Sequence, residues 1–229
     1  MSNELIWVLF ALINFVLFLV MYKVFGKMGI FFWIVMATIL ANIQVIKLIP
    51  LFGLEASLGN IMYGTIFLGT DVLNELYGKK DAKKAVLLGF IVMLATLAIM
   101  QISLLFTPLE YDVAQPALET LFGFAPYVVL GSLSAFIVSQ TFDVYIFQWI
   151  KKKLPDDKWL FIRNNGSTIV SQFIDTLIFV PIAFVLSGYC GWDVAIGIFI
   201  STYLIKLLVA ILDTPFIYLI KRVKPIEIK

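Results

Sequence analysis

Apolar residues fall in seven unbroken runs along the chain: Leu5 to Tyr22, Gly29 to Ile49, Ser57 to Tyr77, Ala85 to Thr107, Phe124 to Ile150, Thr168 to Ser187 and Val194 to Ile220. Each is near the about 20 residues that a helix needs to cross some 30 Å of hydrocarbon. None shows the in-out alternation of a membrane barrel strand, and backbone in hydrocarbon must satisfy its own hydrogen bonds, so the pattern predicts helices. Short connectors join them. The expected fold is all-α, a polytopic membrane helix bundle of seven spans forming one integral-membrane domain over residues 1–229.

The polar connectors alternate in sign. Lys23 and Lys27 follow the first run, Lys79, Lys80, Lys83 and Lys84 the third, Lys151, Lys152, Lys153, Lys158 and Arg163 the fifth, and Lys221, Arg222, Lys224 and Lys229 close the chain. These are 15 of the 17 basic residues. The intervening connectors carry Glu4, Glu55, Glu110, Asp112, Glu119 and Asp193 and no Lys or Arg. Because cytoplasmic loops collect basic residues, the N-terminus is expected outside and the C-terminus in the cytoplasm. The third run is the most polar, holding Asp71, Asn74 and Glu75, but without it the Lys79–Lys84 loop would face outward. The first run has Glu4 before it and no small-residue cleavage site after it, so it is expected to stay as a helix and not be removed as a signal peptide.

Composition narrows the chemistry. At 62% hydrophobic and 14% charged, against roughly 45–50% and 25% in soluble domains, the chain carries more apolar side chain than a globule in water could hide. The net charge of +2 provides no basic field to attract nucleic acid. His is absent and Cys190 is the sole cysteine, which removes imidazole relays, His or Cys metal cages, thiol–imidazole and Ser–His nucleophiles and intrachain disulfides. No cofactor and no enzymatic activity are expected. An intramembrane aspartyl hydrolase would want a Gly-x-Gly-Asp sequence, and none occurs.

Seven charges lie inside the runs: Lys47, Asp71, Glu75, Asp143, Asp175, Lys206 and Asp213. Each costs roughly 2.5–3.5 kcal/mol at the centre of an isolated span, so they must face one another or a wet cavity, as on a substrate or ion path. Spacings of three and four put Asn60, Tyr63, Gly64, Phe67, Asp71, Asn74 and Glu75 on one stripe of the third helix; Gln140, Asp143 and Phe147 form another, as do Gln172, Asp175 and Phe179, and Tyr203, Lys206 and Asp213. From the expected helix ends, Asp143, Asp175 and Asp213 share one layer about 10 Å from the cytoplasmic edge, with Lys206 nearer the middle as counter-charge. Lys47, close to an outer end, either joins them or snorkels to the surface. The pattern Ser-Gln-x-x-Asp-x-x-Ile-Phe occurs twice, at Ser139–Phe147 and Ser171–Phe179, 32 residues apart. On antiparallel helices the two copies would meet across the bundle, as repeated segments do in transporters.

Several stretches resemble the queuosine precursor transporter family, also described as YhhQ-like vitamin uptake transporters. They are Ala41-Asn42-Ile-Gln44-Val-Ile-Lys47, Phe67-Leu-Gly-Thr70-Asp71-Val-Leu-Asn74-Glu75-Leu-Tyr77-Gly78, both Ser-Gln-x-x-Asp copies, Arg163-Asn164-Asn165-Gly166-Ser167-Thr168 and Tyr203-Leu-Ile-Lys206. The likeness covers about residues 29–220, a six-span core with the first helix as an addition. It implies a plasma-membrane importer of 7-cyano-7-deazaguanine, 7-aminomethyl-7-deazaguanine or queuine, salvaged for tRNA modification.

A deazaguanine base offers adjacent N–H and amino donors, a carbonyl acceptor and two flat faces. Glu75, Asp71, Asp143 or Asp175 could accept the donors; Gln140, Gln172, Asn74 or Lys206 could donate to the carbonyl; Tyr63, Phe67, Phe147 or Phe179 could stack. Plainer roles compete. Lys206 could be held in a buried pair with Asp213 or Asp143, Asn42 and Gln44 could join helices, and Arg163, Asn164 and Asn165 could cap the sixth helix with Asn165 or Ser167 at the N-cap. Trp7, Trp33, Trp149, Trp159 and Trp192 read as interface anchors. No phosphate-binding loop is present, since Leu73 stands where Gly78-Lys79-Lys80 would need its first Gly. Transport is then facilitated or ion-coupled. The alternative is a substrate-binding subunit of an energy-coupling-factor importer, docking an ATP-driven partner through the small-residue face Ala37–Ala41. Homo-oligomers are left open.

Overall fold

The computed structural model describes residues 2–45, 47–123, 126–188 and 190–226. Phe124, expected to open the fifth span, and Lys229 lie outside the described residues, as does the side chain of Glu55. In chain order the elements are α1 (Asn3–Gln44), a hairpin of β1 (Leu48–Leu51) and β2 (Leu54–Ser57), then α2 (Gly59–Leu76), α3 (Lys79–Ser103), α4 (Ala114–Phe122), α5 (Pro126–Lys153), α6 (Leu160–Val180) and α7 (Trp192–Arg222). A 3-10 turn at Asp157–Trp159 leads into α6, and a π-helical turn at Pro181–Val185 continues it.

α1 holds the first two expected spans. Its backbone leaves helical geometry at Gly26 (φ 57°, ψ −137°), a conformation open to glycine at little cost. The chain turns back there: Phe18 and Trp33 stack with ring centroids 5.7 Å apart, and Asn3 Nδ2 donates to the Pro50 carbonyl at 3.1 Å. Lys23 and Lys27 flank this reversal, the latter paired with Asp81 at the head of α3 (3.1 Å). The Ile226 N–H bonds the Lys23 carbonyl. The basic turns and the C-terminal segment therefore gather at one end of the bundle. At the other end lie the β hairpin and α4. The hairpin closes through Phe52-Gly53, both at positive φ (51° and 77°), the geometry of a two-residue primed turn. The expected spans ran into these strands, so the all-α bundle carries one small hairpin that the apolar runs did not separate.

Among the described residues, five helices are long and apolar enough to cross a membrane, against the seven expected: Asn3–Gln44, Lys79–Ser103, Val129–Lys153, Asp157–Val185 and Trp192–Arg222. The difference has two causes. The two limbs of α1 form one continuous segment, and α2 carries Asn60, Asp71, Asn74 and Glu75 within only 18 residues. α2 tolerates this because it is the central helix: 15 of its 18 residues are buried, against α1, α3, α5 and α7. Elsewhere large apolar residues such as Ile13, Ile91, Leu130, Ile196 and Ile211 are exposed, as expected of an all-α multi-pass bundle facing lipid.

The closeness of α2 to α7 depends on Gly64, where an added Cβ would sit 2.3 Å from Val209 Cγ1. Gly64→Val should force the two helices apart at a cost of about 1–3 kcal/mol or more, read as a lowered unfolding temperature of the detergent-solubilised protein. Adding Val209→Ala should recover most of the loss; equal stability of Gly64→Val and the parent would show that the interface is loose.

Candidate functional site

α2, α5, α6 and α7 turn their polar stripes toward each other, and the side chains sort into three tiers along the bundle axis. In the first, Lys206 of α7 pairs with Asp175 of α6. The other Asp175 oxygen accepts from Tyr63 (2.5 Å, α2) and Ser139 (3.0 Å, α5). The Tyr63 ring lies 4.9 Å from Lys206 Nζ and 5.5 Å from the Phe67 ring, so the ammonium rests against an aromatic face. Four helices thus meet at one carboxylate.

The second tier holds Asp71, Asp143 and Asp213, all buried. Ser171 donates to Asp143 Oδ1 at 2.8 Å and Asn164 donates to Asp213 Oδ1 at 2.8 Å. Thr168 and Ser171, three residues apart on one face of α6, reach Asp71 (3.5 Å) and Asp143, which brings these two carboxyls side by side. Gln140 accepts from Thr70 at 3.2 Å, while its Nε2 and the Oε1 of Gln172 are buried without a protein partner.

At the third tier, toward the end of the bundle where the basic residues gather, Glu75 of α2 binds Lys151 (2.9 Å, α5), Arg163 (2.9 Å, α6) and Lys221 (2.8 Å, α7). Arg163 is fully buried, and its Nη1 also donates to the carbonyls of Leu154, Pro155 and Asp156 just past the end of α5. Asp157, exposed, also binds Lys221. Asn74 is committed to helix packing: it donates to the Val144 carbonyl (3.0 Å) and accepts from Gln148 (2.6 Å).

The two Ser-Gln-x-x-Asp copies meet across α5 and α6, each copy's serine donating to the other copy's aspartate. The single expected layer of Asp143, Asp175 and Asp213 does not form. α6 begins at Leu160 and not near Thr168, which puts Asp175 15 residues into the helix, about 22 Å along it. Asp143 and Asp213 lie 10 and 9 residues from the ends of α5 and α7, about 15 Å or less. Lys206, 16 residues from the end of α7, matches Asp175, so its partner is neither Asp143 nor Asp213.

Other expectations are corrected by burial. Arg163, Asn164 and Asn165 sit inside α6 and do not cap it; Arg163 and Asn164 are site-facing residues that their polarity alone made look like connector. Lys47 follows the end of α1 and is exposed, outside the bundle core. Trp7 and Trp33 are core residues, 2% and 1% exposed, the latter donating to Thr65. Ala37 and Ala41 are buried in the core, with the Ala41 carbonyl against Gly59 of α2, and offer no free docking face. Phe179 stacks on Phe184, while Tyr203 stacks on exposed Phe173. Asn42 joins helices as expected, donating to the Thr38 carbonyl and Met93. Ser139 and Ser171 were visible only as letters of the repeat.

Residues 57–220 match the family described as "Putative vitamin uptake transporter". A "Probable queuosine precursor transporter" of Bacillus subtilis (strain 168) is 53% identical over 225 residues, 98% of this chain and 97% of the relative. A protein of the same description from Haemophilus influenzae is 28% identical over 141 residues, 60% of this chain and 55% of its own. No solved structure matches the chain significantly. The matched segment contains the first two tiers and all of the third but Lys221, and the chain belongs to this family of vitamin uptake transporters, the queuosine precursor transporters.

Proposed function

We propose that the protein is a secondary or facilitative importer of queuosine precursors (7-cyano-7-deazaguanine, 7-aminomethyl-7-deazaguanine or queuine), working with seven crossings, its N-terminus outside and its C-terminus in the cytoplasm. The two limbs of α1 with α2, α3, α5, α6 and α7 supply the crossings, and the basic residues gathered at one end mark the cytoplasmic face. The observation that carries the reading is the pair of repeat glutamines. Buried on α5 and α6 between the Asp175 tier and the Asp143 tier, Gln140 has an unused amide donor and Gln172 an unused carbonyl acceptor. Leaving both unmatched costs about 1–3 kcal/mol each, and a deazaguanine base provides the complementary carbonyl and N–H groups.

In this reading Gln140, Gln172, Asp175 and Lys206 contact the polar edge of the base, and Tyr63 and Phe67 its flat face. Binding requires the Lys206–Asp175 pair and the Tyr63–Asp175 bond to loosen, because those side chains now occupy the space between the four helices. Glu75 closes the cytoplasmic side while the site faces outward, and Asn74 keeps α2 and α5 in register. Alternating exposure follows from which end of the four-helix interface separates.

Cells unable to synthesise the precursor, given 7-cyano-7-deazaguanine externally, should modify their tRNA with queuosine only when this protein is present in the membrane. Unmodified tRNA with the protein verified in the membrane would refute the reading.

A further inference from the structure

We propose that Asp71 and Asp143 share one proton and that this proton travels with the substrate, so that the inward proton gradient drives accumulation. The inference rests on the transporter reading and adds its energy source. The two carboxyls, on α2 and α5, have no accessible surface, and the Thr168 and Ser171 hydroxyls that reach them stand three residues apart on one face of α6. Thr168 Oγ1 lies 3.5 Å from Asp71 Oδ2 and Ser171 donates to Asp143 Oδ1. Asp71 Oδ1 and Asp143 Oδ2 remain buried and without a donor, as does Asn164 Oδ1 beside them. Each of these is an acceptor, so what the cluster lacks is a hydrogen. One proton turns a repelling pair into an O–H donor and its acceptor, the arrangement by which adjacent buried carboxyls are accommodated.

The neighbours leave no other source of compensation. α7 contributes Asp213, a further acid already accepting from Asn164. α6 contributes Ser167, Thr168, Ser171 and Asn164, all neutral. The cations that flank the cluster are engaged elsewhere: Lys206 with Asp175 one tier outward, Arg163 with Glu75 one tier inward. The ion pair that α1 and α3 make, Lys27 with Asp81, does not involve either carboxyl. A metal cation is a poorer fit, since no group of three or more acids converges as a metal site needs among the described residues.

The repeat connects this proton to the substrate tier. On α5, Ser139 donates to Asp175 and, four residues on, Asp143 accepts from Ser171. The two bonds are about 6 Å apart along the same helix pair. Movement of α5 against α6 breaks both together, so occupancy at one tier biases the other, and the coupling is reciprocal. The proton binds a carboxylate oxygen while the site faces outward and leaves as H+ when it faces the cytoplasm.

The test has one arm without substrate. Infrared difference spectra of the purified protein in lipid, recorded as pH rises from neutral, should lose the carbonyl band of a protonated carboxylic acid. Asp71→Asn and Asp143→Asn should each lack that band, and Glu110→Gln, on the exposed outer connector, should keep it. Two variants are used so that one failing to insert still leaves a result. No such band, or its survival in both variants, overturns the proposal. In the second arm, wild-type vesicles with an alkaline interior should accumulate labelled 7-cyano-7-deazaguanine at least tenfold over vesicles at equal pH, while Asp143→Asn exchanges label at equal pH but does not accumulate it. Accumulation that follows a sodium gradient and ignores pH also overturns it. Wild-type vesicles without exchange of any kind would instead refute the transporter reading, and the infrared arm would still decide the proton.

Discussion

Lys206→Met should abolish precursor uptake and lower the thermal unfolding midpoint of the detergent-solubilised protein by roughly 10 °C. The ammonium is the one positive group on the Asp175 carboxylate, and both are nearly inaccessible to solvent. Breaking a buried pair by removing one partner typically costs about 3–5 kcal/mol, because the other charge stays behind unpaired. For a chain of this size each kcal/mol corresponds to roughly 2–4 °C in the midpoint. Asp175→Asn should lose uptake too with a smaller thermal penalty, since Asn retains acceptors for Tyr63 and Ser139 and the lysine can shed its proton. Combining Lys206→Met with Asp175→Leu separates stability from transport: replacing both ions with apolar groups is often neutral or stabilising, so the midpoint should return to near the parental value while uptake remains absent. Uptake restored in the double variant would show that the pair only sets helix register. Uptake retained in Lys206→Met would remove it from the substrate site.

Why the sequence located these residues but misjudged their depth is instructive. The apolar runs reported the crossing segments well because lipid-facing surface has to be apolar along its whole length. Helix ends were harder to read, since a polar residue near an end has the same letter whether it faces water or the bundle interior. Arg163-Asn164-Asn165 looked like connector; in the structure Arg163 is spent on Glu75 and three carbonyls, and Asn164 on Asp213. Moving the start of α6 from Thr168 to Leu160 shifts Asp175 by eight residues, about 12 Å, and divides one supposed layer into two. The repeat survived this error because antiparallel register depends on spacing within each copy and not on where the helices begin. The β hairpin was invisible for a related reason: Leu48–Leu51 and Leu54–Ser57 extend apolar runs, and the primed turn rests on Phe52-Gly53 alone.

Glu75→Gln should open the basic end of the bundle, the end that faces the cytoplasm in the orientation we propose. One carboxylate on α2 binds cations from α5, α6 and α7, and of these Arg163 is fully buried. Glutamine fills the same volume but leaves three positive charges facing one another. A loss of about 3 kcal/mol from the closed end is about a hundredfold in the ratio of open to closed molecules. The position to watch is Ser167, buried on α6 beside the acidic cluster. In a Cys190→Ser chain carrying Ser167→Cys, a membrane-impermeant maleimide applied from the cytoplasmic side should label Glu75→Gln about a hundredfold faster than the parent. Net uptake should fall because fewer molecules face outward. The graded variants carry the argument further. Lys221→Met leaves Glu75 with Arg163 and Lys151, and Arg163→Met leaves it with two lysines while freeing the carbonyls of Leu154, Pro155 and Asp156 that Arg163 now binds. The labelling rates should therefore rise in the order parent, Lys221→Met, Arg163→Met, Glu75→Gln. Equal rates across the series would mean that the four helices are held together at this end by packing, and that the ionic cluster plays no part in closing it.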